Sequence, residues 1–97
     1  MYTRAITLPL KTAKVDAAIG VFEKTIAPMF QQKKGFQGGY LVGDRNNGKA
    51  VSITVWDTEA NASALDSSGF YKEWVGMLDE YLSSPAIREQ DEVYLRF

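Results

Sequence analysis

The stretch from Gly35 to Trp56 restricts the fold more than any other part of the chain. Two runs of strand-forming residues, Gly35–Asp44 and Lys49–Trp56, flank a turn rich in Asn and Gly, Arg45-Asn46-Asn47-Gly48. This pattern signals an antiparallel hairpin. With Asp44 opposite Lys49, the period of two sets Val42 against Val51, Tyr40 against Ile53 and Gly38 against Val55. One face is then almost wholly apolar. The other carries Gln37, Gly39, Leu41, Gly43, Ser52, Thr54 and Trp56, mostly small or polar with one large aromatic at the end. A hairpin with one greasy face and one hollow face packs against something large on one side and leaves space on the other. Gly38, Gly39 and Gly43 either make room for a ligand or mark bulges that curl the sheet.

The rest of the chain supplies what such a hairpin needs. Residues 2–10 alternate Tyr2, Arg4, Ile6, Leu8 and Leu10 against Thr3, Ala5 and Thr7, and read as a first strand. From Val15 the period changes. Val15, Ala18, Ile19, Phe22, Ile26, Met29 and Phe30 form a helical stripe of about four turns. Thr12 is a candidate N-cap, Pro28 predicts a kink or a frayed end, and Gly35 a stop. After the hairpin, Asp57-Thr58 offers an N-cap for a short helix from Glu59 to about Leu65. The spacing of Phe70, Tyr71, Trp74, Met77, Leu78, Tyr81 and Leu82 predicts a further helix from about 70 to 82. Alternation over Glu92–Phe97 predicts a last strand. Residues 88–92 and the pair Asp79-Glu80 read as solvated faces.

This order is the split βαβ plan, a ferredoxin-like βαββαβ unit of the α+β class with one antiparallel sheet and helices on one side. Ninety-seven residues make a single domain, 1–97. Such a fold leaves one sheet face bare. The set Phe36, Tyr40, Val42, Val51, Ile53 and Val55 therefore meets a partner, or is itself the helix-facing side. With 45% hydrophobic residues in a chain of this size, an apolar surplus points to a subunit interface.

Composition excludes much chemistry. There is no cysteine and no histidine. Disulfides, thiolate chemistry, an imidazole base, a Ser-His-Asp triad and a His-held metal or haem are thereby ruled out. A net charge of -1 gives no electrostatic reason to expect nucleic acid or anionic membrane. Gly48-Lys49 before a strand has the look of an RNA-recognition motif, but residues 50–56 lack paired base-stacking aromatics on one face. No apolar run approaches the length of a membrane span, and the expected location is cytoplasmic.

Three features carry a resemblance to a known family. They are Pro28 with Gly35-Phe36-Gln37-Gly38 after the first helix, the strand Ser52–Trp56 followed by Asp57-Thr58-Glu59-Ala60, and the order of elements. Together they resemble the antibiotic-biosynthesis monooxygenase-like domains of the dimeric α/β-barrel superfamily. The resemblance implies two ferredoxin-like subunits packed sheet against sheet as a homodimer, with a small pocket between each sheet and its own helices. It also implies oxidation of an aromatic or polyketide-like substrate without metal or flavin, so no cofactor is expected. The haem-degrading branch uses a His on the helix after the hairpin. The matching stretch here reads Lys72-Glu73-Trp74-Val75-Gly76, and the first strand lacks that branch's Asn. In the cofactor-free oxygenases a Trp, an Asn and a Tyr surround an acidic phenol. Trp56 matches the Trp, Asn61 is the nearest Asn, and Tyr71 or Tyr81 offers the phenol. The resulting assignment gives Trp56, Tyr71 and Asn61 catalytic roles, with Ser52, Thr54, Trp74 and Tyr81 binding substrate. Packing against the third helix is the competing role for Trp56, and core packing for Tyr71, Trp74 and Tyr81. The alternative function is a non-catalytic small-molecule-binding or accessory homodimer of the same fold.

Overall fold

The structure, a computed structural model, describes residues 1–97. Four strands form one antiparallel sheet in the order β2-β3-β1-β4. They are β1 (Tyr2–Pro9), β2 (Phe36–Asp44), β3 (Lys49–Trp56) and β4 (Ile87–Glu92). The helices are α1 (Val15–Val21) and α2 (Ala27–Gln31), joined by a π-turn (Phe22–Ile26), then α3 (Glu59–Ser67) and α4 (Phe70–Gly76). This is the ferredoxin-like α+β fold expected from the element order.

The hairpin has the pairing that alternation dictates, from Asp44↔Lys49 through Val42↔Val51 and Tyr40↔Ile53 to Gly38↔Val55. Ala50, Ser52, Thr54 and Trp56 of β3 and Arg4, Ile6 and Leu8 of β1 are buried on the helix side. The opposite face is bare, with Tyr40 74% and Val42 47% exposed. Phe36 departs from the expected set. A bulge places Gln37 as an extra residue between the Phe36↔Trp56 and Gly38↔Val55 pairs. One extra residue reverses the side-chain direction, so Phe36 lies on the helix side against Phe30 and Trp56.

Pro28 causes a change of helical pitch instead of an end. Proline has no N–H to give the carbonyl four residues earlier. The helix instead widens over Phe22–Ile26, where the N–H of Ala27 reaches the carbonyl of Phe22, and runs on to Gln31. Thr12 lies in a 3-10 turn whose boundary residue Lys11 makes no side-chain cap bond. Thr58 caps as expected, its hydroxyl accepting from the N–H of Asn61 at 3.1 Å. The helix predicted over 70–82 stops at Gly76 and is followed by a 3-10 turn, Asp79–Tyr81. Gly76 has the high backbone entropy that weakens a helix, while Leu78 reaches the core from the turn beyond it.

The last strand is displaced toward the start of the chain. It occupies Ile87–Glu92, not Glu92–Phe97, because β1 offers partners only from Thr7, opposite Ile87, to Tyr2, opposite Glu92. Past that point only the Val93 N–H to Met1 carbonyl bond continues the ladder, at 2.9 Å. The charged residues 88–92 are thus an edge strand, where charge discourages further pairing.

Candidate functional site

The hollow face of the hairpin and the first helical run enclose a cleft of about 420 Å³. Its walls are aromatic and its floor is small. Phe22, Ala27 and Phe30 come from the helical side, and Phe36 comes from the strand side because the bulge turned it inward. Gly39, Ser52 and Thr54 form the floor. No larger residue is tolerated at Gly39, where a Cβ would stand 2.7 Å from the Ile53 carbonyl oxygen. Polar groups enter from Gln31, Ser52 and Thr54. The cleft reaches round the sheet edge at Gly38, Gly39 and Tyr40. A neighbouring cavity of about 320 Å³ shares Phe22 and Leu41 with it and has Arg45, Lys49 and Glu23 among its lining.

Trp56 stands behind this cleft. Its indole is fully buried. The ring packs against Phe36, with centroids 5.5 Å apart, and against Phe30 at 6.2 Å. Its Nε1–H donates to Thr54 Oγ1 at 2.8 Å. Thr54 still has its own proton to donate and a lone pair to offer. Ser52 and Thr54 are therefore brought together in the cleft, with Trp56 fixing the orientation of Thr54.

The other residues named from the sequence lie elsewhere. Trp74 is buried between Phe22, Phe30 and Tyr71, all in edge-on contact. Tyr71 has Arg4 and Arg88 over its ring, at 5.7 and 5.2 Å from the centroid. Asn61 gives its Nδ2–H to Asp57 Oδ1 at 2.8 Å, and this bond holds the Asp57 carboxyl below its ordinary range. Tyr81 sits in the 3-10 turn near Lys14, and burial pushes its phenol up. Trp56, Tyr71 and Asn61 do not converge on one space within a single subunit.

A second polar constellation lies on the same helix-covered face, toward the β1–β4 end of the sheet. Arg4, buried on β1, meets Asp66 of α3 with two bonds, Nη2 to Oδ1 at 2.7 Å and Nη1 to Oδ2 at 3.1 Å. Arg4 Nη1 also donates to Gln90 Oε1 at 2.9 Å, and Gln90 Nε2 donates to Ser63 Oγ at 3.1 Å. Arg88 adds a contact to Asp66 at 3.0 Å. The Arg4 bond, then the charges of Arg4 and Arg88, hold the Asp66 carboxyl below its ordinary range against the opposing effect of burial. The network ties α3 to β1 and β4 and consumes the buried charge.

The residues missed from the sequence are Phe22, Phe30, Phe36 and Gln31. Phe22 and Phe30 were legible as core but not as cleft wall. Their signal was Pro28, whose missing donor opens the helix between them.

No family model matches the sequence, and no curated protein matches it. Solved structures do match, over nearly the whole chain. A monooxygenase of Streptomyces coelicolor, solved with the ligand nanaomycin D, superposes with a TM-score of 0.82 at 12% identity, covering 99% of this chain and 89% of that one. A candidate antibiotic biosynthesis monooxygenase of Deinococcus radiodurans gives 0.80 at 13% identity, over 100% and 96%. The fold is that of the antibiotic-biosynthesis monooxygenase-like proteins. A protein of unknown function from Nitrosomonas europaea shares it too, with a TM-score of 0.77 at 17% identity over 99% and 91%. At such identities the likeness establishes the antibiotic-biosynthesis monooxygenase-like architecture, not an activity. No helix is long and apolar enough to cross a membrane.

Proposed function

We propose that this chain binds a small, flat aromatic or polyketide-like molecule in the cleft between β2–β3 and the first helical run, and oxidises it as a cofactor-independent monooxygenase. The observation that carries the reading is an aromatic-walled cleft whose floor is cut down to Gly39, Ser52 and Thr54. Aromatic rings at two walls and a few fixed polar groups suit a planar phenol. A phenol that loses its proton becomes an electron-rich anion able to reduce oxygen itself. Addition of O₂ at a ring C–H carbon and loss of water would convert phenol to quinone, balancing one O₂ against one quinone and one water. Ser52 and Thr54 would hold the phenolic oxygen, and Trp56 would hold Thr54. The nanaomycin D bound by the similarly folded Streptomyces coelicolor monooxygenase supports a small-molecule occupant.

The bare face of Tyr40, Val42, Val51, Ile53 and Val55 would pack against the same face of a second subunit, giving a homodimer. Placement in the cytoplasm is part of the same reading.

One observation favours the alternative of a non-catalytic binding or accessory homodimer. The cleft lining contains no carboxylate or amine, and its one titratable group is Tyr40 at the rim. The test is incubation with 1-naphthol and 1,4-naphthoquinone under air. Quenching of tryptophan fluorescence reads binding. A product heavier by one oxygen and lighter by two hydrogens reads oxidation. Binding with product supports the monooxygenase, binding without product supports the accessory role, and no binding removes both.

A further inference from the structure

The helix-facing side of the hairpin continues past the cleft. Successive cross-strand pairs on that side are Gly39↔Thr54, Leu41↔Ser52 and Gly43↔Ala50. Leu41 is the one long side chain in a row of small ones. The cleft lies over the first two pairs, and the neighbouring cavity of about 320 Å³ lies over the third. Its floor is held open at Gly43, where a Cβ would collide with the Lys49 carbonyl oxygen. Val15 and Ile19 cover this cavity from the helical side, and Phe22 covers both spaces. The only residues common to the two linings are Phe22 and Leu41. The spaces therefore meet at a waist between these two side chains.

We propose that the second cavity is a subsite for the far end of the ligand, and that Leu41 determines how far a ligand reaches into it. The inference rests on an aromatic molecule occupying the cleft, as in the proposed function, and adds that molecule's length and charge. The two sides of the waist differ in freedom. Phe22 is buried, with its ring packed against Phe30 and edge-on against Trp74, so it cannot yield. Leu41 is half-buried on an edge strand and turns aside by a change of rotamer. From Thr54 to Ala50 the strand runs roughly 13 Å, a length that three linearly fused rings fill and two do not. A ligand with its phenolic oxygen at Ser52 passes Leu41 directly, because the two residues are cross-strand partners. The far end then meets a largely apolar lining. The Arg45 guanidinium there is already engaged, with Nε and Nη2 donating to Asp16 Oδ1 at 3.2 and 3.0 Å. Lys49 precedes buried Ala50 on the strand and so belongs to the opposite face. Glu23 leaves an unpartnered carboxylate on the lining, so the subsite takes an uncharged ring and disfavours an acid.

The probes are 1-naphthol and 1-anthrol, which adds one ring in line. Their affinities are measured by titration calorimetry on the parent and on Leu41→Ala, Leu41→Phe and Ile19→Phe. The parent should prefer 1-anthrol. The ratio of the two affinities should rise by about tenfold in Leu41→Ala, where the waist is open. It should fall toward one in Leu41→Phe, which narrows the waist. The same fall is expected in Ile19→Phe, which fills the second cavity from the helix without touching the hairpin. 5-Hydroxyanthracene-2-carboxylate, with its acid on the far ring, should bind the parent more weakly than 1-anthrol. Tighter binding of the acid overturns the charge assignment. A ratio that is the same in all four proteins overturns the subsite and leaves the cleft standing, and a lowered melting temperature in Leu41→Ala would then assign Leu41 to packing alone. If the parent binds neither phenol, the aromatic-binding cleft itself fails and the subsite falls with it.

Discussion

The indole N–H of Trp56 reaches back two residues along its own strand to the hydroxyl of Thr54, 2.8 Å away and out of water. Residues two apart on a strand share a face, so the bond fixes Thr54 in the cleft floor and Trp56 behind it. Trp56→Phe should lose that bond and some core volume, lowering stability by roughly 1–3 kcal/mol. Denaturant unfolding measures the loss. Binding of 1-naphthol should weaken as Thr54 regains rotational freedom. If oxidised product forms, its rate should fall as well.

Ser52 places the smallest polar side chain on the cleft floor. Ser52→Val replaces the hydroxyl by a methyl and adds a second one, intruding on the ligand's space. Affinity for 1-naphthol should fall by about tenfold or more, while the melting temperature changes little. A fluorescence titration beside a thermal scan reads both. Unchanged affinity would place the ligand elsewhere.

Arg4 is a buried cation whose charge is met by Asp66. Arg4→Met keeps the apolar stem and removes the guanidinium. Asp66 retains Arg88 and is about one-third exposed, so the cost is about 2 kcal/mol, below that of orphaning a fully buried ion. The pH dependence has a definite sign. The Asp66 carboxyl titrates below its ordinary value in the folded protein. Its contribution is therefore full above the ordinary carboxylate range and is lost as pH falls through the lower, folded value. Asp66→Asn should be less stable than the parent at neutral pH, and the gap should narrow on acidification in that window.

Gly35 occupies the left-handed region at φ 85° and lies against the Asp57–Asn61 pair. A methyl there is strained by the backbone and collides first with Asp57 Oδ1 and then with Asn61, whose Nδ2 would stand 2.6 Å from it. Gly35→Ala should cost about 2 kcal/mol. Asp57→Ala in the same background should recover part of that loss, since it removes the carboxylate oxygen nearest the methyl. Paired unfolding curves test the recovery.

The hairpin, its register, the first helical stripe and the Thr58 cap were legible because each is written locally, in a period of two or 3.6 and in the turn chemistry of Asn and Gly. The ferredoxin-like order followed from them. Four features needed the folded chain. Phe36 changed faces because a single bulge at Gln37 reverses the alternation that sequence spacing assumes. The final strand moved to Ile87–Glu92 because its limits depend on how much of β1 is available to pair, a contact between residues eighty to ninety positions apart. Arg4 could be placed on the apolar face by periodicity, but its counterion Asp66 lies on a helix sixty-two positions away. The resemblance assigned the aromatics Trp56, Trp74, Tyr71 and Tyr81 to one site. Only the packing separated them, because the angle at which each helix crosses the sheet decides which rings fill the core and which line a space. Local pattern therefore determined the layers of this protein, and long-range contact decided where the opening between them lies.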